Sequence, residues 1–207
     1  MAENKIILVT TDKSVLDNNS INEILKSFKD PSIGCVTGRP MPLASRKNMF
    51  GYWSHLLLDA GAHKIRKELS SKEQFLECTN FLFAFKNGFV KEISTDISED
   101  HLIPYLFWKN NYKIKYLENA RVYITSPLTL DNWLKQKTEN TKKQENLIKY
   151  LNKKGIKIPV VKSFKNEILR GAIAALTYPK TLKEFYWTIL LFFARLSMWI
   201  NVIIKKS

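Results

Sequence analysis

Apolar residues in this chain follow distinct rhythms, and each rhythm predicts an element. Lys5 to Thr11 carries four consecutive aliphatic residues and runs into Asp12. Such a run predicts a parallel strand buried on both faces, with a polar group delivered at its carboxyl end. Ile33 to Gly38 reads as a second short strand, and Phe75 to Phe85 as a third, turned by Asn87-Gly88. Between the first two, Ser20-Ile21-Asn22-Glu23 has the form of a capping box. Ile24, Leu25 and Phe28 then share one helical face, and the helix stops before Asp30-Pro31. Strand, helix, strand at this spacing predicts an α/β layer architecture.

A helical rhythm takes over at 49–68, where Met49, Phe50, Trp53, Leu56, Leu57 and Ala60 fall in register. His55 and His63 lie on it eight apart with no His or Cys at i+4, so they read as helix-surface histidines rather than a metal pair. Ser98 is placed to cap another helix, on which Leu102, Ile103, Leu106 and Phe107 recur. Pro104 sits awkwardly there, because proline is comfortable only in a helix's first turn. Tyr112, Ile114 and Tyr116 alternate with Lys113 and Lys115 as a half-exposed strand, and Arg121 to Thr125 predicts one more. Thr129 can cap a helix through Trp133 and Gln136 toward Tyr150.

The tail differs in character. Ile168 to Tyr178 is apolar and helical, Pro179 breaks it, and Phe185 to Ile204 is strongly apolar. That last segment has the length to cross a bilayer. Arg195 in its middle would cost about 2.5–3.5 kcal/mol at the bilayer centre. Glu184, Thr188 and Arg195 share one face, which equally suits a helix lying in the membrane plane or packed on protein. The chain thus divides into a domain at 1–150, a basic linker at 151–165 and a membrane-associated helical tail at 166–207.

Composition narrows the classes. An apolar content of 45% with 12% aromatic residues belongs to a folded chain, and 207 residues suffice for one good core. The 33 Lys and Arg against 19 Asp and Glu leave +14, which suits anionic lipid, phosphate-bearing substrates or nucleic acid. Without a nucleic-acid motif beside the lysines, nucleic acid is not expected as a partner. Cys35 and Cys78 lack metal-ligand spacing and read as buried free thiols in a reducing compartment. No signal peptide is visible at Met1 to Val9.

The chemistry concentrates at Ser94 to Phe107, where Asp96, Glu99 and Asp100 meet the start of a helix. Acids are favoured there by the helix dipole, so the pattern fits either helix-start electrostatics or a positioned general base.

In order, Thr11-Asp12-Lys13-Ser14 after a strand, Ile33 to Pro40, Glu99-Asp100 opening a helix, Asn111 to Tyr116, and Gln136-Lys137-Thr138-Glu139 resemble the second half of a family-2 glycosyltransferase catalytic domain. The resemblance covers about residues 5–150. It implies a partial GT-A fold, a Rossmann-like mixed sheet flanked by helices, followed by the hydrophobic helical tail. It implies transfer of a sugar from a nucleotide sugar to the hydroxyl of a lipid or glycan acceptor at the cytoplasmic face of the cell membrane. By position, Asp100 is the family's base and Glu99 supports it. Asp12, Lys13 and Ser14 face the donor diphosphate, with Asp12 on a Mg²⁺ or Mn²⁺ ion. Thr79, Asn80, Gln136 and Lys137 face the acceptor. Three positions depart from the family pattern: Ser14 replaces an acid, Glu139 replaces an arginine and Asn80 replaces a glycine. The family's first strands are not in the sequence, so a complementary N-terminal half or self-association through the Lys5–Thr11 strand is expected. A catalytically degenerate, membrane-associated partner protein is the alternative.

Overall fold

The computed structural model describes residues 5–12, 14–90, 98–153 and 175–204. Lys13, Asp96, the stretch expected as a linker beyond Lys153 and the first residues of the expected tail helix lie outside the described residues. Five strands form one mixed sheet in the order β1-β4-β3-β5-β2. They are β1 (Ile6–Thr10), β2 (Ser14–Leu16), β3 (Ile33–Pro42), β4 (Leu82–Lys86) and β5 (Lys113–Ile124). Only β3 and β5 run parallel; every other neighbouring pair is antiparallel.

Alternation in the strands sorts the core into two layers. Cys35, Phe83, Phe85, Ile114 and Tyr116 face α4 (Glu99–Lys109) and the end of α5 (Leu130–Lys153). Val36, Leu82, Ala84, Val122 and Ile124 face α1 (Ser20–Ser27). Both faces of the sheet are therefore covered, and the mixed α/β class expected from the sequence holds. The strands buried on both faces are β3, whose first six residues are all buried, and β4, whose first four are. Lys5 to Thr11 was expected in that role. Instead β1 is an edge strand, antiparallel to β4, with Ile7 and Leu8 each 36% exposed.

Other boundaries shift for local reasons. The two strands expected at 112–116 and 121–125 are one twelve-residue strand, β5, with a register irregularity opposite Thr37 to Arg39. Phe75 to Phe81 lies outside β4 as an irregular approach to the strand. Ser20 does not cap α1: Asn19 is the cap residue, and the buried Ser20 hydroxyl donates to the Arg121 carbonyl at 2.6 Å. The helix expected at 49–68 is α2 (Met49–His55), a π-helical segment (Leu56–His63) and α3 (Lys64–Ser71). Its histidines are half-buried rather than on the surface, with ring nitrogens at the Ala44 carbonyl, 3.0 Å, and the Tyr116 hydroxyl, 2.9 Å. α5 runs on to Lys153 with Leu151 buried, so no break falls at residue 150.

Pro104 lies inside α4, beyond the first turn. It has no N–H for the Asp100 carbonyl four residues back. The N–H of Cys78 bonds that carbonyl instead, at 3.0 Å, and ties the 75–81 segment to the helix. Gly34 lets α4 come this close to β3. A Cβ there would stand 2.3 Å from Phe107 Cδ1 and 2.7 Å from Tyr112 Cβ. Gly34→Ala is expected to cost about 1–3 kcal/mol by overpacking, read as a lower chemical-denaturation midpoint with an unchanged slope.

The apolar tail contains α6 (Leu182–Ile204), which packs on the body. Glu184 takes Arg46 at both carboxylate oxygens, 2.6 and 2.8 Å. The hydrogen bonds from Arg46 hold the Glu184 carboxyl at about 2. The Thr188 hydroxyl meets Tyr52 at 2.6 Å, and Leu191 and Ala194 join Trp53 and Trp133 in a third apolar cluster. Among the described residues, no helix is long and apolar enough to cross a membrane.

Candidate functional site

A cavity of about 400 Å³ opens where the 75–81 segment, the start of α4, the π-helical segment, α5 and α6 come together. Asp100, Thr79, Asn80, Gln136 and Lys137 all line it. These are the expected base and the four expected acceptor residues, gathered from three segments far apart in sequence. Glu99 is exposed and is not in the lining, because the first turn of α4 points it to solvent.

Asp100 is 9% exposed. Its position in the first turn of α4 favours the ionised carboxylate. Ser98 is the N-cap residue of α4, as expected, but its hydroxyl makes no cap hydrogen bond to the helix backbone and donates to Asp100 Oδ1 instead. His101 Nδ1 lies 3.0 Å from the same oxygen, and its Nε2 lies 3.4 Å from Glu77 Oε2. Burial works against protonation of His101. The Glu77 charge and hydrogen bonds to Asp100 and Glu77 outweigh it and raise the imidazole to about 9. At neutral pH His101 is therefore an imidazolium between two carboxylates, hydrogen-bonded to Asp100 and ion-paired with Glu77. A carboxylate held in this way has a fixed orientation beside a cavity large enough for a small substrate group, which is the geometry a general base needs.

Cations and apolar surface complete the lining. Arg66 donates from Nε to the Glu77 carbonyl at 3.4 Å, and Lys137 Nζ stands 5.9 Å from the Trp133 ring centre. Thr79 is fixed by its N–H to Thr37 Oγ1, at 3.0 Å. Cys35 and Cys78 are buried free thiols with sulfurs 3.4 Å apart, and burial pushes the Cys78 thiol up.

No protein-family model and no curated protein matches the chain.

The expected donor residues do not join this cluster. Asp12 stands exposed in the turn after β1 and is not in the cavity lining, and Lys13 lies outside the described residues. The Ser14 hydroxyl donates to the Thr11 carbonyl at 2.7 Å and lies 3.0 Å from the Thr10 hydroxyl. Among the described residues, no group of three His, Cys, Asp or Glu side chains is placed to hold a metal. One exposed carboxylate beside an engaged hydroxyl does not fit a resident Mg²⁺ or Mn²⁺, which requires several oxygen ligands in a fixed geometry.

Glu77 and His101 are the residues sequence reasoning missed. Glu77 is the only charged residue in the apolar run Phe75 to Phe85, and an isolated charge in such a run signals a buried partner. His101 directly follows Asp100, so its link to Glu77 becomes visible only once 75–81 lies against α4.

Proposed function

We propose that this chain carries the acceptor-side half of a glycosyltransferase site of the family-2 type, with Asp100 as general base. The observation that supports this reading is the convergence of Asp100 with Thr79, Asn80, Gln136 and Lys137 on one cavity. In the proposed step an acceptor hydroxyl gives its proton to the Asp100 carboxylate as its oxygen attacks the anomeric carbon. The sugar–phosphate bond breaks, and the nucleoside diphosphate leaves with the electron pair. Lys137 and Arg66 supply positive charge on the cavity wall, where it offsets charge on the departing group. No step is assigned to a metal.

Donor binding needs more than this cavity offers, since Asp12 and Ser14 lie apart from it. Among the described residues no strand pairs with the outer edge of β1. An open edge of this kind accepts a strand from another chain, which supports completion by a complementary α/β half or by a second copy. The separation of Asp12 from Asp100 also favours a second reading, a degenerate relative that holds an acceptor without transferring sugar.

Ligand-observed NMR with a panel of nucleotide sugars and simple glycosides separates the two readings. The transferase reading expects saturable binding from both classes. Binding of glycosides without any nucleotide sugar would leave only the second reading, and binding of neither to folded protein would remove both.

A further inference from the structure

Among the described residues, nothing covers the outer face of α6. Phe185, Tyr186, Ile189, Phe193, Leu196 and Ile200 recur at steps of one, three, four, three and four along the helix, so they form one stripe. They are 38% to 63% exposed. From the first to the last the stripe is about 22 Å long at 1.5 Å per residue. Scattered exposed apolar residues need no explanation, but a continuous exposed stripe marks an interaction surface.

We propose that α6 docks lengthwise on an anionic lipid bilayer, with this stripe among the acyl chains and the Glu184–Thr188–Leu191 face held against the protein.

Three observations choose this occupant. The only acid on α6, Glu184, is turned inward onto Arg46, so the outward face carries no negative charge. Lys180 and Lys183 are exposed at the start of the helix, and Lys183 Nζ lies 4.8 Å from the Trp187 ring centre. Lysine, aromatic rings and an aliphatic stripe in that arrangement suit an interfacial helix. The net charge of +14 is complementary to anionic lipid and opposes the meeting of two copies through a lysine-flanked face.

The inner face argues against a span. A helix crossing the bilayer would have to give up the Arg46–Glu184 pair and the Tyr52–Thr188 contact, leaving polar groups unpaired in hydrocarbon. Docking in the plane keeps both. Phe192 is 41% exposed at the border of the stripe and also lines the cavity, so docking puts that cavity wall beside the lipid headgroups. The docking stands independently of sugar transfer.

The test is flotation of the whole chain with vesicles of phosphatidylcholine, with and without phosphatidylglycerol. The expected result is recovery with the phosphatidylglycerol vesicles, weakened by salt and low on phosphatidylcholine alone. Phe193→Glu with Leu196→Glu should weaken partitioning on the order of 100-fold, since two apolar side chains leave the interface and two negative charges enter it. Both positions are exposed, so circular dichroism melting should be near that of the unaltered chain; this separates lost docking from lost folding. Equal flotation of the variant would overturn the proposal. So would an unaltered chain that stays off all vesicles as a dimer and becomes a monomer in the variant, because the stripe would then belong to a second copy. Spin labels at Ile189→Cys and Ile200→Cys should report equal depth. A difference of about 16 Å, the rise over eleven residues, would mean that α6 spans.

Discussion

Asp100→Asn is expected to lower sugar transfer about 10²–10⁴-fold, the usual cost of removing a general base. The substitution keeps the size of the side chain, and Asn still offers an oxygen to Ser98 and His101, so the start of α4 should hold its shape. The loss should therefore appear in turnover with little change in acceptor affinity, since the missing group acts on the proton and not on the resting complex. Glu99→Gln is the internal comparison: Glu99 is exposed outside the cavity, and its change should be small. If both variants lose activity equally, the first turn of α4 acts only through its charge. If Asp100→Asn turns over normally, Asp100 is not the base.

His101→Gln is expected to cost about 3–5 kcal/mol of stability, the range for removing one partner of a buried charged pair. In this size of chain that is a fall in Tm of about 10 °C. The cause is specific. Glu77 and Asp100 are both buried, and His101 is the cation between them. Without it two carboxylates face each other across a neutral amide. The pH dependence distinguishes this from ordinary loss of packing. His101 is raised from 6.5 to about 9, so the folded chain holds a proton that the unfolded chain releases above 6.5. Its stabilisation is complete below about 6.5 and is lost as pH rises through about 9. The amount is about 3 kcal/mol at 1.36 kcal/mol per pH unit. His63 is shifted downward by burial, so its titration lies below this window. The unaltered chain should lose stability between pH 6.5 and 9, and His101→Gln should lack that slope. Parallel profiles for the two proteins would mean that His101 is neutral in the folded state.

Local pattern carried the α/β class, the helix at 99–109 and the position of Asp100 in its first turn, because these depend on side-chain rhythm and on free N–H groups within one turn. Thr129 at the start of α5 was legible for the same reason, with its carbonyl accepting from Trp133 N–H at 3.0 Å. The gathering of Thr79, Asn80, Gln136 and Lys137 around Asp100 was expected from a resemblance, and the cavity lining brings them together. Which apolar run becomes the central strand was not legible. Ile6 to Val9 and Ile33 to Val36 are both apolar, but a strand's place in a sheet depends on what lies on either side of it. β3 has β4 and β5 as neighbours with helices on both faces, whereas β1 has only β4. Pro104 looked like an obstacle to a helix because a chain read alone shows the hydrogen bond that proline loses. Tertiary structure supplies the replacement, the Cys78 N–H on the Asp100 carbonyl. The Glu77–His101–Asp100 cluster has the same origin. A buried carboxylate is stable only beside a partner charge, and that partner lies 24 positions away in sequence, so only the packing of 75–81 against α4 could decide the pairing.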